Sequence, residues 1–255
     1  MNEQDRAHRH GAPARREFLA ATATLGAGLA LPGALRAPSS HPTIASASSP
    51  ALSSKECQES MADILNTTLT AEHLTLSSYY TALVTPTLQN QMDRSAIDCW
   101  TAALNQELNH VRILENLGAQ SPYKTFYFPA MALQSLGFTS RAGTFLWMVD
   151  HLETACIAAY MRRIERYTTL QHLDLALLAA RILGVEAEHR ALYRVISEDY
   201  PANNVTLEVA QFTCANDIQR VLTPYLTGRG LPGRAHRVVA LPTQAQIKRV
   251  LAKMM

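Results

Sequence analysis

The sequence predicts an all-α protein: a four-helix bundle with one long crossover between helices 2 and 3, plus a short fifth helix and a C-terminal tail. Along four long segments, apolar residues recur every three or four positions, which is the period of a helix with one buried face. The connections within the first and second helix pairs are short, so each pair is expected to form an antiparallel hairpin. The connection between the two pairs is about 20 residues long, which is long enough to cross the bundle.

Residues 1–47 are predicted to be an export signal and linker that take no part in the fold. The arginine pair at 15–16 precedes a weakly apolar, uncharged run at 18–35, and Pro- and Ser-rich sequence follows. This order is typical of a twin-arginine signal, with cleavage after Ala37 or Ala47. The alternative is an N-terminal membrane anchor, since the run is close to the shortest length that spans a bilayer. We expect a periplasmic or otherwise exported protein with no stable membrane span after cleavage.

The bundle domain is predicted to occupy residues 55–227, and its first two helices to cover about 56–83 and 95–116. Each helix has a glutamate in the middle of its apolar face, Glu72 in the first and Glu107 in the second. A lone carboxylate at such a position is costly to bury. These two residues therefore need a partner in the core.

The crossover, residues 119–139, is rich in aromatic residues and proline. A connection of this length and composition indicates a segment strapped to the side of the bundle. A short buried helix at 131–136 fits the pattern equally well.

The third and fourth helices are predicted at about 141–167 and 171–199. Thr139 or Ser140 is a candidate cap for the third helix. As in the first pair, a glutamate interrupts the apolar face of each helix. The second pair therefore repeats the pattern of the first.

The remaining chain is predicted to contain a short amphipathic helix at about 206–223 and then a basic tail at 228–255. Residues 48–227 carry 12 Lys or Arg against 18 Asp or Glu, a net charge of 12 − 18 = −6, whereas the tail carries six basic residues and no acid. The pattern favours a solvated tail over a docking patch for an acidic partner or an anionic lipid. Aromatic residues do not alternate with the basic ones, so no nucleic-acid partner is predicted.

Four cysteines, Cys57, Cys99, Cys156 and Cys214, permit two disulfides in three connectivities, or free thiols. They include no Cys-x-x-Cys pair, so the sequence encodes neither a rubredoxin-type site nor a zinc ribbon.

Two Glu-x-x-His motifs lie on the second and fourth predicted helices. A Glu and a His three positions apart share one helix face, so both can point at the same object in a bundle core. Glutamates on the first and third helices precede the motifs by 35 and 33 residues (107 − 72 and 186 − 153). The six candidate metal ligands are Glu72, Glu107, His110, Glu153, Glu186 and His189.

This residue set predicts a site for two metal ions. Four buried carboxylates need cations to balance their charge, and oxygen-rich ligation with two imidazoles suits iron or manganese. The alternative is a structural bundle whose acids are satisfied by arginines, for which Arg190 and Arg194 are the candidates. No catalytic residue beyond the metal ligands is predicted.

For other residues near the ligands, the sequence leaves two alternatives open. Tyr79, Tyr160 and Tyr193 each follow a ligand by seven residues, and each is either a core aromatic with a satisfied hydroxyl or a group that acts behind the ligands. His73, His151 and Glu188 point away from the ligand face, so they are expected on the surface or behind the ligands.

The order Glu, Glu-x-x-His, Glu, Glu-x-x-His in a bundle with one crossover resembles the ferritin-like superfamily, over residues 55–200. More narrowly, the chain resembles exported ferritin-like domain proteins with twin-arginine signals. The resemblance implies that Glu107 and Glu186 bridge two metals and that His110 and His189 are terminal nitrogen ligands. Glu72 and Glu153 would be the terminal or bridging carboxylates.

The resemblance also implies chemistry at two Fe or Mn ions with dioxygen or peroxide as substrate, of the ferroxidase, peroxide-scavenging or oxidase type. Rubrerythrins add a Cys-x-x-Cys module that this chain lacks, and storage ferritins arrange their ligands differently, so redox work is favoured over storage. A non-catalytic metal-binding or stress protein on the same bundle is the alternative. A homo-oligomer is compatible with either function.

Overall fold

In the computed structural model, residues 57–203 and 211–254 are described, and they form helices in the predicted order. The helices are α1 Met61–Val84, α2 Pro86–Gln89, α3 Arg94–Asn116, α4 Phe145–Thr169, α5 Leu173–Ile196, α6 Gln219–Thr227 and α7 Gln244–Met254. Two strands, β1 Thr125–Pro129 and β2 His236–Ala240, and two 3-10 turns, Ala130–Leu133 and Ala215–Ile218, complete the described elements. The predicted export signal lies outside them.

The four long helices α1, α3, α4 and α5 form the bundle. Helix α1 packs against α3, and α4 packs against α5, as expected for two hairpins. The hairpins meet through contacts of α1 with α4 and of α3 with α5. The predicted all-α class is confirmed. Among the described helices, none combines the length and the apolar character needed to cross a membrane.

Local capping explains where α1 and α3 begin. The Ser60 hydroxyl accepts a hydrogen bond from the Asp63 backbone N–H, and the Asp63 carboxylate accepts one from the Ser60 N–H. This reciprocal capping box satisfies two N–H groups that have no partner within the helix. Asp93 caps α3 by accepting from the Ala96 N–H at 2.7 Å. Both starts lie within five residues of the predicted ones.

The third bundle helix begins later than predicted, and neither Thr139 nor Ser140 caps it. Helix α4 starts at Phe145, with Thr144 in the N-cap position. The Thr139 hydroxyl instead donates to the Asp199 carboxylate at 2.6 Å. The chain turns before α4 at Gly137, where φ is +66° and an added Cβ would lie 2.4 Å from the Cβ of Thr144. Only glycine fits that turn without strain.

A strand holds the crossover against the side of the bundle, as predicted. The alternative was a buried helix at 131–136, and in its place the structure has the 3-10 turn Ala130–Leu133. Strand β1 buries Phe126 and Phe128 fully and pairs antiparallel with β2, with Tyr127 opposite Val238. The predicted tail therefore supplies the second strand of a two-stranded sheet. Its last segment, α7, packs against α3 and α1. The six basic side chains of the tail are nevertheless exposed, as predicted.

The short helix after the bundle differs from the prediction of a helix at 206–223. Residues 204–210 lie outside the described part of the chain, and the first described helical turn after the gap is the 3-10 turn Ala215–Ile218, which leads into α6. The Asp217 carboxylate accepts from the backbone N–H groups of Thr213 and Cys214, both at 2.9 Å. Helix α6 ends at Gly228, whose left-handed φ of +70° suits a C-terminal glycine.

One disulfide, Cys57–Cys214, joins the start of α1 to the start of that 3-10 turn, and Cys99 and Cys156 are free thiols. The Glu59 carboxylate reinforces the connection by accepting from the backbone N–H groups of Ala215 and Asn216. The segment after the bundle is thus fastened to its first helix.

Candidate metal centre

The structure brings all six predicted ligands together in the bundle core. Each of the four long helices contributes at least one of them, and none of the six residues is more than 5% exposed. The six are Glu72 on α1, Glu107 and His110 on α3, Glu153 on α4, and Glu186 and His189 on α5. Their binding of metal stays a prediction, but their convergence is a structural fact.

The six side chains form two overlapping groups of four. One group is Glu72, Glu107, His110 and Glu186, and the other is Glu107, Glu153, Glu186 and His189. Within each group, one ligand atom from every residue lies within 4.8 Å of the others. Glu107 and Glu186 belong to both groups, which is the placement of the two bridging carboxylates that the sequence resemblance implies.

His110 faces three carboxylates through its Nδ1 atom. This nitrogen lies 3.2 Å from Glu186 Oε1, 3.4 Å from Glu72 Oε2 and 3.9 Å from Glu107 Oε2. The Thr75 hydroxyl, one turn after Glu72, donates to Glu107 Oε2 at 2.9 Å and so fixes the orientation of that carboxylate.

His189 faces the second group through its own Nδ1. That atom lies 3.2 Å from Glu107 Oε1, 3.8 Å from Glu186 Oε2 and 3.9 Å from Glu153 Oε1. On the opposite side of the ring, Nε2 lies 2.8 Å from the Oε1 of Gln106, a carbonyl oxygen that can only accept. A proton held at Nε2 leaves Nδ1 of the neutral imidazole as the ligating atom, an arrangement common in metal-binding histidines.

Eight buried atoms of this cluster have no hydrogen-bond partner, and their chemistry fits metal ions. They are Glu72 Oε2, Glu107 Oε1, His110 Nδ1, both oxygens of Glu153, both oxygens of Glu186, and His189 Nδ1. Buried polar atoms without partners are costly, and carboxylate oxygens with imidazole nitrogens are the donors that divalent iron and manganese accept. The residues present therefore fit a pair of such ions.

The alternative in which arginines satisfy these acids does not account for the unpartnered oxygens. Arg190 Nε donates to Thr154 Oγ1 at 2.8 Å and lies 3.5 Å from Asp150. Arg194 donates to Thr139 Oγ1 at 2.7 Å and lies 3.4 Å from Asp150. Both side chains are buried. The charge of Arg190 acts to lower the pKa of Glu153, but neither oxygen of Glu153 has a hydrogen-bond partner within the described part of the chain.

In the metal-free protein, the cluster binds protons that a metal ion would displace. Burial, followed by the charge of Glu186, raises the pKa of both Glu107 and Glu153 above the usual range for a carboxyl. Burial by itself would raise the pKa of Glu186 too, but its close contacts with the imidazoles of His110 and His189 lower it well below the usual range. Crowding thus favours protonated Glu107 and Glu153 beside an ionised Glu186.

Both imidazoles gain protons in the same environment. Burial lowers the pKa of His189, but its contacts with Glu107 and Glu186 outweigh burial and raise the pKa to about 9. For His110, burial is likewise outweighed, by Glu186 and Glu72, and the pKa rises. Metal binding must therefore displace protons from the ligands.

Tyr160 lies directly behind Glu72, although it follows Glu153 in the sequence. Its hydroxyl donates a hydrogen bond to Glu72 Oε1, while Glu72 Oε2 faces His110. Burial, and then the charge of Glu72, raise the pKa of Tyr160 well above its usual value, so it remains a donor at neutral pH. This tyrosine holds a ligand in place, which corresponds to one of the two roles predicted for it.

Arg163 is a buried cation that sequence reasoning missed. Its side chain is completely buried, its guanidinium lies 4.6 Å from the centre of the Tyr160 ring, and its three nitrogens have no hydrogen-bond partner among the described residues. A cation over a phenol ring is attracted to the ring face. Its position in an Arg-Arg pair on a helix gave no signal of burial.

Tyr79 and Tyr193 are buried aromatic residues of the core, which was one of the two roles expected for them. Their hydroxyls, expected to be satisfied in that role, have no hydrogen-bond partner in the described structure. Tyr193 stacks on Trp100 with a centroid distance of 4.2 Å. Tyr79 meets the edges of Trp100 and His189 at 5.4 Å and 5.6 Å. These rings pack around one end of the ligand cluster and exclude water from it.

Three polar residues beside the ligands occupy different environments. Glu188 and His151 are exposed, and His151 stacks on Trp147. His73 is 3% exposed and lies 4.0 Å from Glu115, so of its two expected positions the surface one is wrong, and burial behind the ligands is the one that remains. Burial, and then the charge of Lys124, lower the pKa of His73 to about 4.

Sequence reasoning also missed Thr75 and Gln106. Thr75 carried a usable signal, because it follows Glu72 by three residues and shares its helix face. Gln106 carried none, because its role depends on the approach of α5 to α3.

A comparison with family models matches residues 60–198 to a ferritin-like domain. The matched range covers more than half of the chain and contains all six predicted ligands. Searches of curated proteins and of solved structures gave no match. The family match agrees with the fold, a bundle with one crossover, and with the core of four glutamates and two histidines. The chain belongs to the ferritin-like domain family.

Proposed function

We propose that the protein is a di-metal carboxylate oxidoreductase that uses two iron or manganese ions to react with dioxygen or peroxide. The single observation that carries the proposal is the pair of four-residue groups that share Glu107 and Glu186. Bound there, two ions a few ångströms apart would supply one electron each to an oxidant and so allow a two-electron reduction.

The chain's own residues would bind the two ions and fix the positions of the protons beside them. Glu72 and His110 would bind one ion, Glu153 and His189 the other, and the shared carboxylates would bridge them. Gln106 keeps the proton of His189 on Nε2, away from the ions. Tyr160 donates to Glu72, which leaves the Oε2 atom of that carboxylate for ligation.

The test begins with metal analysis of the full chain purified from the cytoplasm, where it folds with metal available. We expect two metals per chain. After anaerobic loading with Fe(II), addition of O₂ or H₂O₂ should oxidise the bound iron, and the absorbance spectrum monitors this oxidation. Glu72→Gln combined with Glu153→Gln should abolish both results. Glu115→Gln, an exposed change two turns along α3 from Glu107, is the matched control. Absence of turnover with either oxidant would contradict the redox proposal.

A non-catalytic metal-binding role is the second candidate, and the burial of the site favours it. All six candidate ligands are buried, with each residue at most 5% exposed, so little of the cluster meets bulk water. A closed site retains metal and admits exogenous ligands slowly. Binding of two metals with no oxidation, and no spectral response to azide, would support sequestration instead of redox work.

We also propose export by the twin-arginine route, which rests on the motif at 15–16 and the run that follows it. The disulfide Cys57–Cys214 supports the proposal, because such bonds persist in oxidising compartments. In a bacterial host with this pathway, the full chain should reach the periplasm with its metals. Arg15→Lys with Arg16→Lys should keep it in the cytoplasm, and periplasmic delivery of that variant would contradict the route.

A further inference from the structure

Within the described part of the chain, the outer face of α5 presents small and apolar residues that are exposed, except for the partly buried Ala191. Its residues recur every three or four positions over about five turns: Leu173, Leu177, Ala180, Gly184, Ala187 and Ala191. Leu173 is 62% exposed and Leu177 is 55% exposed. This set is defined here as the α5 outer face.

The opposite side of the same helix is also mainly apolar, apart from the two ligands and the buried Arg190 and Arg194. A surface helix normally has a polar outer face, and a helix that is apolar on both sides is normally covered on both sides. On one side, α5 packs against α4 and α3. On the other, its large side chains Leu173 and Leu177 are exposed. The exposed side therefore fits a second apolar surface.

The small residues in the middle of the α5 outer face allow another helix to approach closely. Gly184 lies mid-helix, and a Cβ added there would meet nothing within 4 Å. Glycine in a helix interior costs about 1 kcal/mol relative to alanine, so some other contact must favour it. Flanked by Ala180 and Ala187, it lets another helix pack near the short end of the usual 8–10 Å interaxial range.

Two exposed charges flank this centre in a self-complementary way. Arg181 and Glu188 lie on the same edge of the α5 outer face, seven residues apart, which is about 10 Å along the axis. At that spacing they are too far apart to pair within one helix. Their midpoint, (181 + 188)/2 = 184.5, falls beside Gly184. A twofold axis there, relating two antiparallel copies of α5, brings Arg181 next to Glu188 of the partner subunit, twice.

We propose that the α5 outer face is the interface of an antiparallel homodimer, in which a second copy of this chain covers Leu177 and Gly184. The contact is isologous, so the same patch serves both subunits and the assembly closes at two. It packs helix on helix with the aliphatic residues inside and the two charge pairs at the rim. The proposal is independent of metal binding, since it uses the side of α5 that faces away from Glu186 and His189.

The first test is the oligomeric state of the full chain by sedimentation equilibrium. We expect a dimer at micromolar concentrations and a shift to monomer in Gly184→Trp, with at least about a hundredfold rise in the dimer dissociation constant. A Cβ at this position meets nothing within 4 Å, so helicity and thermal unfolding at low concentration should show an intact fold. A wild-type chain that is monomeric at about 100 μM would overturn the proposal.

Charge reversal tests the pairing without changing the apolar surface. Arg181→Glu and Glu188→Arg should each weaken the dimer about tenfold or more, because each places like charges together twice. The double variant should restore the wild-type dissociation constant to within a few-fold. If the double variant stays as weak as the single ones, the antiparallel pairing is wrong.

Cysteine cross-linking tests the direction of packing. Gly184→Cys should form a disulfide with its own copy across the twofold axis under mild oxidation. Leu177→Cys is the matched control, because in an antiparallel pair the two copies lie about 22 Å apart along the axis. The background from the free thiols Cys99 and Cys156 is measured in the wild-type chain. Equal cross-linking of both variants would indicate parallel packing and overturn the arrangement.

Discussion

At the scale of single residues, the shared position of Glu107 and Glu186 separates their expected roles from those of the outer ligands. Each lies in both four-residue groups, whereas Glu72, Glu153 and the two histidines lie in one group each. Loss of a shared ligand therefore affects two metal positions, and loss of an outer ligand affects one.

Glu186→Gln should lose most of both metals, whereas Glu153→Gln should retain close to one per chain. The amide keeps the volume of the side chain but removes the charge that balances the cations. Metal content by elemental analysis distinguishes the two outcomes. In the metal-free protein, Glu153→Gln should preserve or raise the unfolding temperature, because it removes a buried carboxyl that is crowded by Glu186. Glu186→Gln should lower the unfolding temperature, because His110 and His189 lose the ionised carboxylate that lies between them. Identical stoichiometry in the two variants would contradict bridging by Glu186.

Metal affinity should rise with pH between about 6 and 9. The pKa values of His189, His110, Glu107 and Glu153 are raised in the metal-free site, so these groups hold protons at neutral pH and release them as the pH increases. A metal ion competes with those protons, so binding strengthens as they leave. Calorimetric titration in buffers of different ionisation enthalpy should show protons released on binding. A pH-independent affinity would show that the free ligands are already deprotonated.

At the scale of helices and strands, connections far apart in sequence hold the bundle ends. The disulfide joins residues 157 positions apart, and β1 pairs with a strand that follows α6. Such contacts restrict the unfolded chain more than local ones do. They also explain how the segment after the bundle stays attached to it.

Cys57→Ser with Cys214→Ser should lower the free energy of unfolding by about 2–4 kcal/mol, the usual range for a disulfide that closes a long loop. Urea denaturation of the wild type with and without a thiol reductant should give a similar difference. Cys99→Ser, a change at a half-exposed free thiol, is the control and should have little effect. Equal midpoints for the double variant and the wild type would show that the disulfide adds no stability.

Gly137→Ala should destabilise the protein by about 1–3 kcal/mol, since it adds a Cβ 2.4 Å from Thr144 in a backbone region that alanine avoids. Gly184→Ala is the matched contrast. It lies in a helix with open space beside it, and replacement there should stabilise the fold by up to about 1 kcal/mol. Thermal unfolding of both variants tests the signs. A neutral Gly137→Ala would show that the turn before α4 relaxes easily.

Sequence periodicity predicted the bundle because helix packing is a local pattern repeated along each segment. The four long helices were found within a few residues, and all six candidate ligands were found because each interrupts an apolar face. The β1–β2 pairing was missed, since it joins residues 125–129 to 236–240 and leaves no local pattern. Thr139 was assigned to a helix cap because its role with Asp199 depends on a contact 60 positions away.

At the scale of the whole molecule, metal occupancy and folding are linked. A ligand that binds only the folded state stabilises it by about 2.7 kcal/mol at a hundred times its dissociation constant. Removal of the metals also leaves four carboxyl groups in one buried space, where protons on Glu107, Glu153 and the two histidines must take the place of the cations.

Dialysis against a chelator should therefore lower the unfolding temperature, and addition of Fe(II) or Mn(II) under anaerobic conditions should restore it. Differential scanning calorimetry measures both steps. Mg(II), which prefers oxygen ligands and strict octahedral geometry, should restore less of the loss. An unfolding temperature that is insensitive to chelation would count against a metal centre in the core.

The hydrogen bond from Tyr160 to Glu72 distinguishes the two halves of this duplicated hairpin. Tyr79 occupies the matching position in the first half, seven residues after Glu72, as Tyr160 does after Glu153. A symmetric molecule would have Tyr79 donate to Glu153, but Tyr79 packs edge-on against His189, and both oxygens of Glu153 lack a partner. One of these two carboxylates accepts a hydrogen bond from a tyrosine, and its counterpart accepts none from the described residues. The repeat has thus diverged into unequal halves, and two ions bound there would differ in coordination, in order of filling and in redox potential.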